Sequence, residues 1–490
     1  MKRAFVLNLV FLLSINLVVK PLYLFGVDRG IQNLASAAEY GLYFELFNFT
    51  FLFQILNDFG IQYYNNRHIA QHPYLLDKYF PYLLGAKFLL AGVFLFAILV
   101  FGALAGYLAA FPWMLAPIAG IHILISLISY LRSNISGLGW YFTDSFLSVL
   151  DRLILLLGLG IPLWTGLLAG RSPVLLLVFG QLVSLTITAT AALWLLKRKT
   201  GGIRLRWNPR LNLVVLKNSY PYAITVILMT IYTRLDAVMI GRMLPNGQEE
   251  AGWYAGAYRL LDAANMIGVL FAGLLLPMFS KLYKDKRGLK ELSDLGIRII
   301  WSGALCLSPA LIAFRTPIMD ALYVHTSEQS GAILGWLMLS FIPMSGGYIF
   351  GTLLLAAGHQ KKLNWLYFVG VVINVLLNLI LIPPYRAAGA ALATFLTQGA
   401  VFAGLLVLCQ SWQGFSISRA AGWRFIILGI LSWLSAFYLK KAFFSDWSWL
   451  ALGLAMLVGF TGVFLFQVIR VREVADWFSS NRLFSDRQRI

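Results

Sequence analysis

The sequence has little charge. Only 12% of its 490 residues are Asp, Glu, Lys or Arg, against about 25% in soluble globular domains. So few ionised groups cannot cover a water-exposed surface of this size, which excludes a string of soluble domains. Cysteine is nearly missing. Cys306 and Cys409, the two in the chain, both lie in apolar stretches, so neither a disulfide framework nor a thiolate metal site is on offer. Both read as small core hydrophobes. The five histidines (His68, His72, His122, His325 and His359) are dispersed, without the spacing of a HExxH or Cys/His metal site. A Walker-type glycine loop is also absent, which removes direct drive by ATP. No segment between apolar runs is long enough to fold alone; the longest (61–80, 197–213, 279–294, 315–329 and the tail 470–490) are of connector size. Function has to sit within the apolar mass or at its mouths.

What the chain does contain is apolar surface. Hydrophobic residues make up 60% of it and its mean hydropathy is +0.77. A bilayer is crossed by about 20 apolar residues in helix. By that criterion about fourteen segments span: 4–25, 37–60, 81–106, 113–131, 139–168, 173–196, 214–242, 251–278, 295–314, 330–356, 364–382, 387–409, 423–439 and 448–469. The expected fold is therefore an all-α polytopic membrane protein. The 43 glycines and the 15% of aromatic residues suit close helix crossings and interfacial belts. Met1-Lys2-Arg3 before an apolar run, with Ala35-Ser36-Ala37 beyond it, has the outline of a signal peptide. Lys20, Asp28 and Arg29 separate the two parts, so an uncleaved first helix is expected.

The net charge of +19 would suggest nucleic acid in a soluble protein. Here its distribution gives topology. With both termini in the cytoplasm and sides alternating, cytoplasmic segments hold 27 of the 39 Lys and Arg, and seven (Arg29, Arg171, Arg242, Arg315, Arg386, Lys440 and Lys441) fall outside. That asymmetry follows the positive-inside rule and removes nucleic acid as the default partner. The basic stretch 197–217 is read as topogenic, with contact to anionic membrane lipids as the second reading.

A weak internal repeat divides the chain. Gly41-Leu42-Tyr43 opens the second span and Gly252-Trp253-Tyr254 the eighth; at the same offset Phe47 matches Tyr258 and Asn48 matches Arg259. An even number of spans per half gives both copies the same orientation. The expected organisation is two pseudo-symmetric six-helix bundles, 1–212 and 213–410, followed by two further spans and a basic cytoplasmic tail in 411–490.

Ionised groups in mid-bilayer cost about 2.5–3.5 kcal/mol each on insertion scales, so they mark cavities or pairs. They are unevenly spread: Lys20 in span one, Glu39 and Glu45 in two, Lys87 in three, Asp144, Asp151 and Arg152 in five, Arg234 and Asp236 in seven, Arg259 and Asp262 in eight. The pattern predicts a polar pathway lined by spans one, two, seven and eight, with five contributing. Each group also has a plainer reading. Arg259 and Asp262, three apart, could neutralise each other; Asp151 offers Arg152 a partner; Lys20 and Lys87 could snorkel to an interface. Arg234 and Asp236 point to different faces, so self-pairing is less natural there. Glu45 and Asn48 share a face that could line the cavity. Asn374 and Asn378, four apart, read as interhelical hydrogen-bonding glue, and Pro383-Pro384 as a helix stop.

The stretch NVLLNLILIPPYRAAGAALAT at 374–394, together with Arg234-Leu-Asp236, Ile240-Gly241, Gly252-x-Tyr254-x3-Tyr258-Arg259, Pro277, Phe59-Gly60 and Arg67-x-Ile69-Ala70, resembles the multidrug/oligosaccharidyl-lipid/polysaccharide (MOP) exporter superfamily, in particular its polysaccharide-export flippases. The resemblance covers nearly the whole chain. It implies two six-helix bundles forming a V around a central cavity, and a polyprenyl-pyrophosphate-linked saccharide as cargo, moved outward across a bacterial cytoplasmic membrane without enzymatic chemistry. Arg234, Arg259, Arg152, Lys20 and Asn48 would then bind cargo. Glu45, Asp236 and Asp262 would bind a coupling cation, H⁺ or Na⁺, with no cofactor required. Polysaccharide polymerase and glycosyltransferases would be functional partners. The alternatives are a lipid II flippase, a multidrug or cation antiporter, and a membrane-embedded polymerase or ligase using His325 and Arg315.

Overall fold

The computed structural model describes residues 2–62, 65, 69, 74, 76–167, 170, 172–200, 206–282, 286–413, 419–442 and 448–469. The sequence features at Arg67 and Ala70, part of the basic stretch 197–217, and the tail 470–490 lie outside the described residues. Among those described there is no β-strand. Eleven helices among the described residues are long and apolar enough to cross a membrane. One of them runs from Gln360 to Gln413 but holds two arms across a kink at Arg386, and the helices Lys2–Tyr23 and Ala37–Leu52 lie on the first two predicted spans. All fourteen predicted segments fall on helix. Large apolar side chains such as Phe96, Phe437 and Leu465 stand exposed, the surface that lipid would cover.

Local chemistry sets several helix starts. Ser36 accepts the Glu39 N–H at the head of the 37–52 helix, and Asn208 accepts the Leu211 N–H ahead of Pro209 at the head of Pro209–Met243. Both are side-chain oxygens satisfying an orphan backbone donor. The first helix does not stop near residue 25, where a loop was expected. It passes through a π-helical turn, Leu24–Asp28, into a further helix, Arg29–Leu34. The widened turn keeps Asp28 inside the protein instead of in an outer loop.

The chain forms two compact units. The first comprises 1–263, 322–330 and 364–394. In it the two copies of the sequence repeat meet. A Cβ added to Gly41 would lie 1.7 Å from the Gln248 carbonyl oxygen and 2.6 Å from the Gly252 nitrogen; one added to Gly252 would lie 2.1 Å from the Ala37 carbonyl oxygen. The helix Ala37–Leu52 and the start of Gly247–Leu282 thus cross backbone to backbone, and glycine is there because no side chain fits. Gly41→Ala is expected to cost upwards of about 1–3 kcal/mol, the range for overpacking. Its melting temperature in detergent should fall by several degrees, whereas Gly92→Ala, at a position open to space, should leave it unchanged.

Lys87 does not snorkel. It is 3% exposed and its Nζ donates to Asp58 Oδ1 at 2.8 Å, to the Asn57 carbonyl at 2.9 Å and to Ser126 Oγ. Asp58 closes the short helix Gln54–Asp58, just before the left-handed Phe59 and Gly60. The predicted interface lysine is instead the buried pin that holds this break. The second unit comprises 264–321, 331–363 and 395–490. There Phe425, Leu428 and Val463 pack with Cys306, and Trp301 donates to the Ile342 carbonyl at 3.1 Å.

Candidate functional site

Three guanidinium groups and the carboxylates that face them occupy the first unit. Arg259 Nε meets Asp28 Oδ2 at 2.8 Å. Tyr40 donates its hydroxyl proton to the same oxygen at 2.9 Å and accepts from Arg259 Nη2 at 3.2 Å. The sequence-neighbour Asp262 stands farther off, 3.9 Å from Arg259 Nη1, so Arg259 is held chiefly by Asp28 across the bundle. Asp28 is 1% exposed, and its second oxygen has no hydrogen-bond partner among the described residues. Arg234 Nη2 lies 3.5 Å from Asp262 Oδ1 and over the rings of Phe51 and Tyr258, at 5.4 and 5.2 Å. Arg152 Nε lies 3.5 Å from Asp151 Oδ2, with its guanidinium 4.5 Å above the Tyr23 ring. Lys20 is half-buried within electrostatic reach of Arg152 and Asp151.

Arg152 and Arg259 line one small chamber of about 60 Å³, with Asp28, Asp151, Tyr23, Tyr43, Phe47 and Gln181 among the other lining groups. Gln181 Nε2 donates to the hydroxyls of Tyr23 at 3.3 Å and Tyr43 at 3.1 Å, so that wall is polar and already ordered. A guanidinium carries five N–H donors, more than the contacts of Arg152 use. The chamber therefore pairs two cations, their counter-ions and an aromatic-polar wall. Arg234 is not among its lining residues.

Asp236, two residues from Arg234, belongs to a different cluster. Its carboxylate is 1% exposed and accepts from Asn378 Nδ2 at 2.7 Å, Asn374 Nδ2 at 3.2 Å, Tyr254 OH at 3.1 Å and the Thr394 hydroxyl. The asparagines read as glue are thus ligands of a buried carboxylate. Asn378 Oδ1 is buried with no hydrogen-bond partner among the described residues, which leaves one oxygen of the cluster unsatisfied. Glu45 is buried as well and accepts from the Tyr107 hydroxyl; Gly241 packs against it so closely that a Cβ would sit 2.2 Å from the carboxyl carbon. Asn48 turns its amide back to the Phe44 carbonyl at 2.7 Å. The structure sets Arg152 and Arg259 on one chamber with Lys20 near Arg152, joins Arg234 to Arg259 through Asp262, and keeps Asp236, Glu45 and Asn48 in separate buried settings. Sequence reasoning missed Asp28, Tyr40, Tyr43 and Tyr254, and Gln181 reads from the sequence only as interhelical glue like Asn374 and Asn378. Asp28 was legible only as a carboxylate close to an apolar run.

A helical membrane protein with paired charges inside its bundle defines the class, and solved structures agree with it. The fold matches the lipid II flippase MurJ in an inward closed conformation, with a TM-score of 0.68, 16% identity, and coverage of 94% of this chain and 99% of that one. It also matches an inward-facing multidrug resistance MATE family transporter of the MOP superfamily, with a TM-score of 0.63, 14% identity and coverage of 84% and 99%. The chain shares the fold of these two solved structures. Residues 6–283 match the family described as "Polysaccharide biosynthesis protein", and the chain belongs to that family. Among curated proteins, an uncharacterized membrane protein of Methanocaldococcus jannaschii is 28% identical over 198 residues, 39% of this chain and 44% of that protein. The "Putative O-antigen transporter" of Shigella dysenteriae is 22% identical over 231 residues, 45% of this chain and 55% of that protein. The matches span about half the length of these curated relatives.

Proposed function

We propose that the protein is a flippase rather than an enzyme, and that it carries a polyprenyl-pyrophosphate-linked oligosaccharide, a repeat unit of O-antigen, capsule or exopolysaccharide, across a bacterial cytoplasmic membrane by alternating access. Both termini face the cytoplasm in this reading, and glycosyltransferases and a polymerase work on the same saccharide. The observation that carries it is the chamber into which Arg152 and Arg259 turn. Pyrophosphate is a dense anion that guanidinium forks grip bidentately, while the Tyr and Gln wall suits sugar hydroxyls and the lipid tail remains in the bilayer. Arg234 and Lys20, beside the partners of Arg259 and Arg152, complete the cargo-binding set, whereas Asn48, expected in it, is buried with its amide on the Phe44 carbonyl. Asp236 anchors the coupling cation, Na⁺ or H⁺: a hard cation takes oxygen ligands, and this cluster offers a carboxylate, a hydroxyl and the unsatisfied Asn378 Oδ1. Asp262 and Glu45 are the further carboxylates assigned to coupling.

Arg152 gives the cleanest test, because its pairing with Asp151 is loose and partly exposed. In a strain lacking its own flippase, Arg152→Ala should reduce surface polysaccharide about tenfold to a hundredfold at unchanged protein level, as expected for about 1.5–3 kcal/mol in a hydrogen bond to a charged group. Undiminished rescue would contradict the assignment. The likeness to MurJ supports a second reading, lipid II, whose anchor has the same chemistry; rescue of a strain depleted of its lipid II flippase separates the two. Two guanidiniums in the chamber argue against cationic drugs as cargo.

A further inference from the structure

The long helix Gln360–Gln413 turns a corner that its own sequence cannot hold. Pro383 and Pro384 remove backbone donors, and Arg386 adopts φ 53°, ψ −138°, a conformation outside the helical basin and unfavourable for a residue with a side chain. At Gly389 the arms come so close that a Cβ would lie 2.1 Å from the Leu381 carbonyl oxygen. A third element clamps this corner. Glu250, in the first turn of Gly247–Leu282, is 2% exposed. Its Oε2 accepts the Ala387 N–H at 3.3 Å, the first amide of the second arm, and its Oε1 faces Arg386 Nη1 at 3.5 Å. Strain of this kind persists only where surroundings over-determine it, and Glu250 supplies both contacts.

The corner sets the Asp236 cluster. Asn374 and Asn378 lie on the arm before it and Thr394 on the arm after it, and all three donate to the one carboxylate. The angle between the arms therefore determines whether the three ligands converge. We infer that Glu250 is a positioning residue for the Asp236 cation site: by capping the second arm and holding Arg386, it fixes the geometry in which Asn374, Asn378 and Thr394 surround Asp236. This rests on the cation reading of Asp236 proposed above.

The test uses purified full-length protein in detergent and reads cation binding as thermal stabilisation, since a ligand bound to the native state raises the melting temperature. Two titrations are run, NaCl at constant ionic strength with choline chloride, and pH at constant salt, so that Na⁺ and H⁺ are distinguished. The wild-type protein should respond to one of them, and Asp236→Asn should abolish the response. Glu250→Gln, which keeps an acceptor for Ala387, should shift the half-effective cation concentration less than about threefold. Glu250→Ala, and Glu250→Asp whose shorter side chain loses its reach, should shift it tenfold or more, the change that about 1.4 kcal/mol of lost convergence produces. The comparison is of half-effective concentration and not of the cation-free melting temperature, which a merely structural cap would also lower. Should Glu250→Ala fail to fold, the Gln and Asp pair carries the comparison. A wild-type half-effective concentration in the Asp variant, with the response still lost in Asp236→Asn, overturns the role of Glu250 alone. A response that survives Asp236→Asn overturns the cation reading, and the inference with it.

Discussion

Arg259→Ala should abolish surface polysaccharide and lower stability by about 3–5 kcal/mol, the cost of removing one partner of a buried ion pair. The size follows from what would be left behind. Asp28 is 1% exposed, keeps only the Tyr40 hydroxyl among the contacts described above, and already has one orphaned oxygen. Two effects would be confounded in that variant, lost cargo binding and an uncompensated charge. Asp28→Asn combined with Arg259→Gln separates them. Removing both charges while keeping a polar amide at each position should restore most of the melting temperature, because replacing a whole pair is often neutral. Export should stay absent, because Arg152 alone is then left lining the chamber and one guanidinium cannot replace the paired grip on the anion. Thermal melts and rescue measured on the wild type, Asp28→Asn, Arg259→Gln and the double variant complete a double-mutant cycle. Export returning with stability would make Arg259 a structural strut.

The second large effect is expected at Asp236. Asp236→Asn keeps the volume and removes the charge; the hydroxyls of Tyr254 and Thr394 can turn from donating to accepting, so the variant should fold. Transport driven by the cation gradient should fall to the level seen without a gradient, because nothing then binds the cation differently in the two states. Asp236→Leu is expected to be worse in another way: four buried donors would lose their acceptor, at about 1–3 kcal/mol for each unsatisfied group, and protein level should fall. The measurement is cargo uptake in proteoliposomes with and without an imposed Na⁺ or H⁺ gradient.

Much of the architecture was legible in the sequence because a bilayer imposes one length and one polarity on every crossing. The fourteen apolar segments are helix for that reason, and the paired glycines of the repeat proved to be the place where its two copies touch. Partners distant in sequence were the harder part. Asp28 pairs with Arg259 across 231 positions only because a π-turn carries the first helix past its expected end. Lys87 looked like an interface residue until Asp58, at a helix break, was seen beneath it. Asn374, Asn378 and Thr394 reach Asp236 around a corner that helical periodicity cannot describe, and Glu250 gave no signal beyond being an acid in a first turn. Hydropathy reports burial. It does not report which buried polar group faces which.

The most direct measurement of the central claim is binding of polyprenyl pyrophosphate, without any sugar, to the purified protein by native mass spectrometry, compared with the corresponding polyprenol. The pyrophosphate form should be retained by the wild-type protein and lost from Arg152→Ala with Asp28→Asn/Arg259→Gln, while the polyprenol should bind weakly and equally to both. Equal retention of the pyrophosphate form by the wild-type and the substituted proteins would contradict that claim.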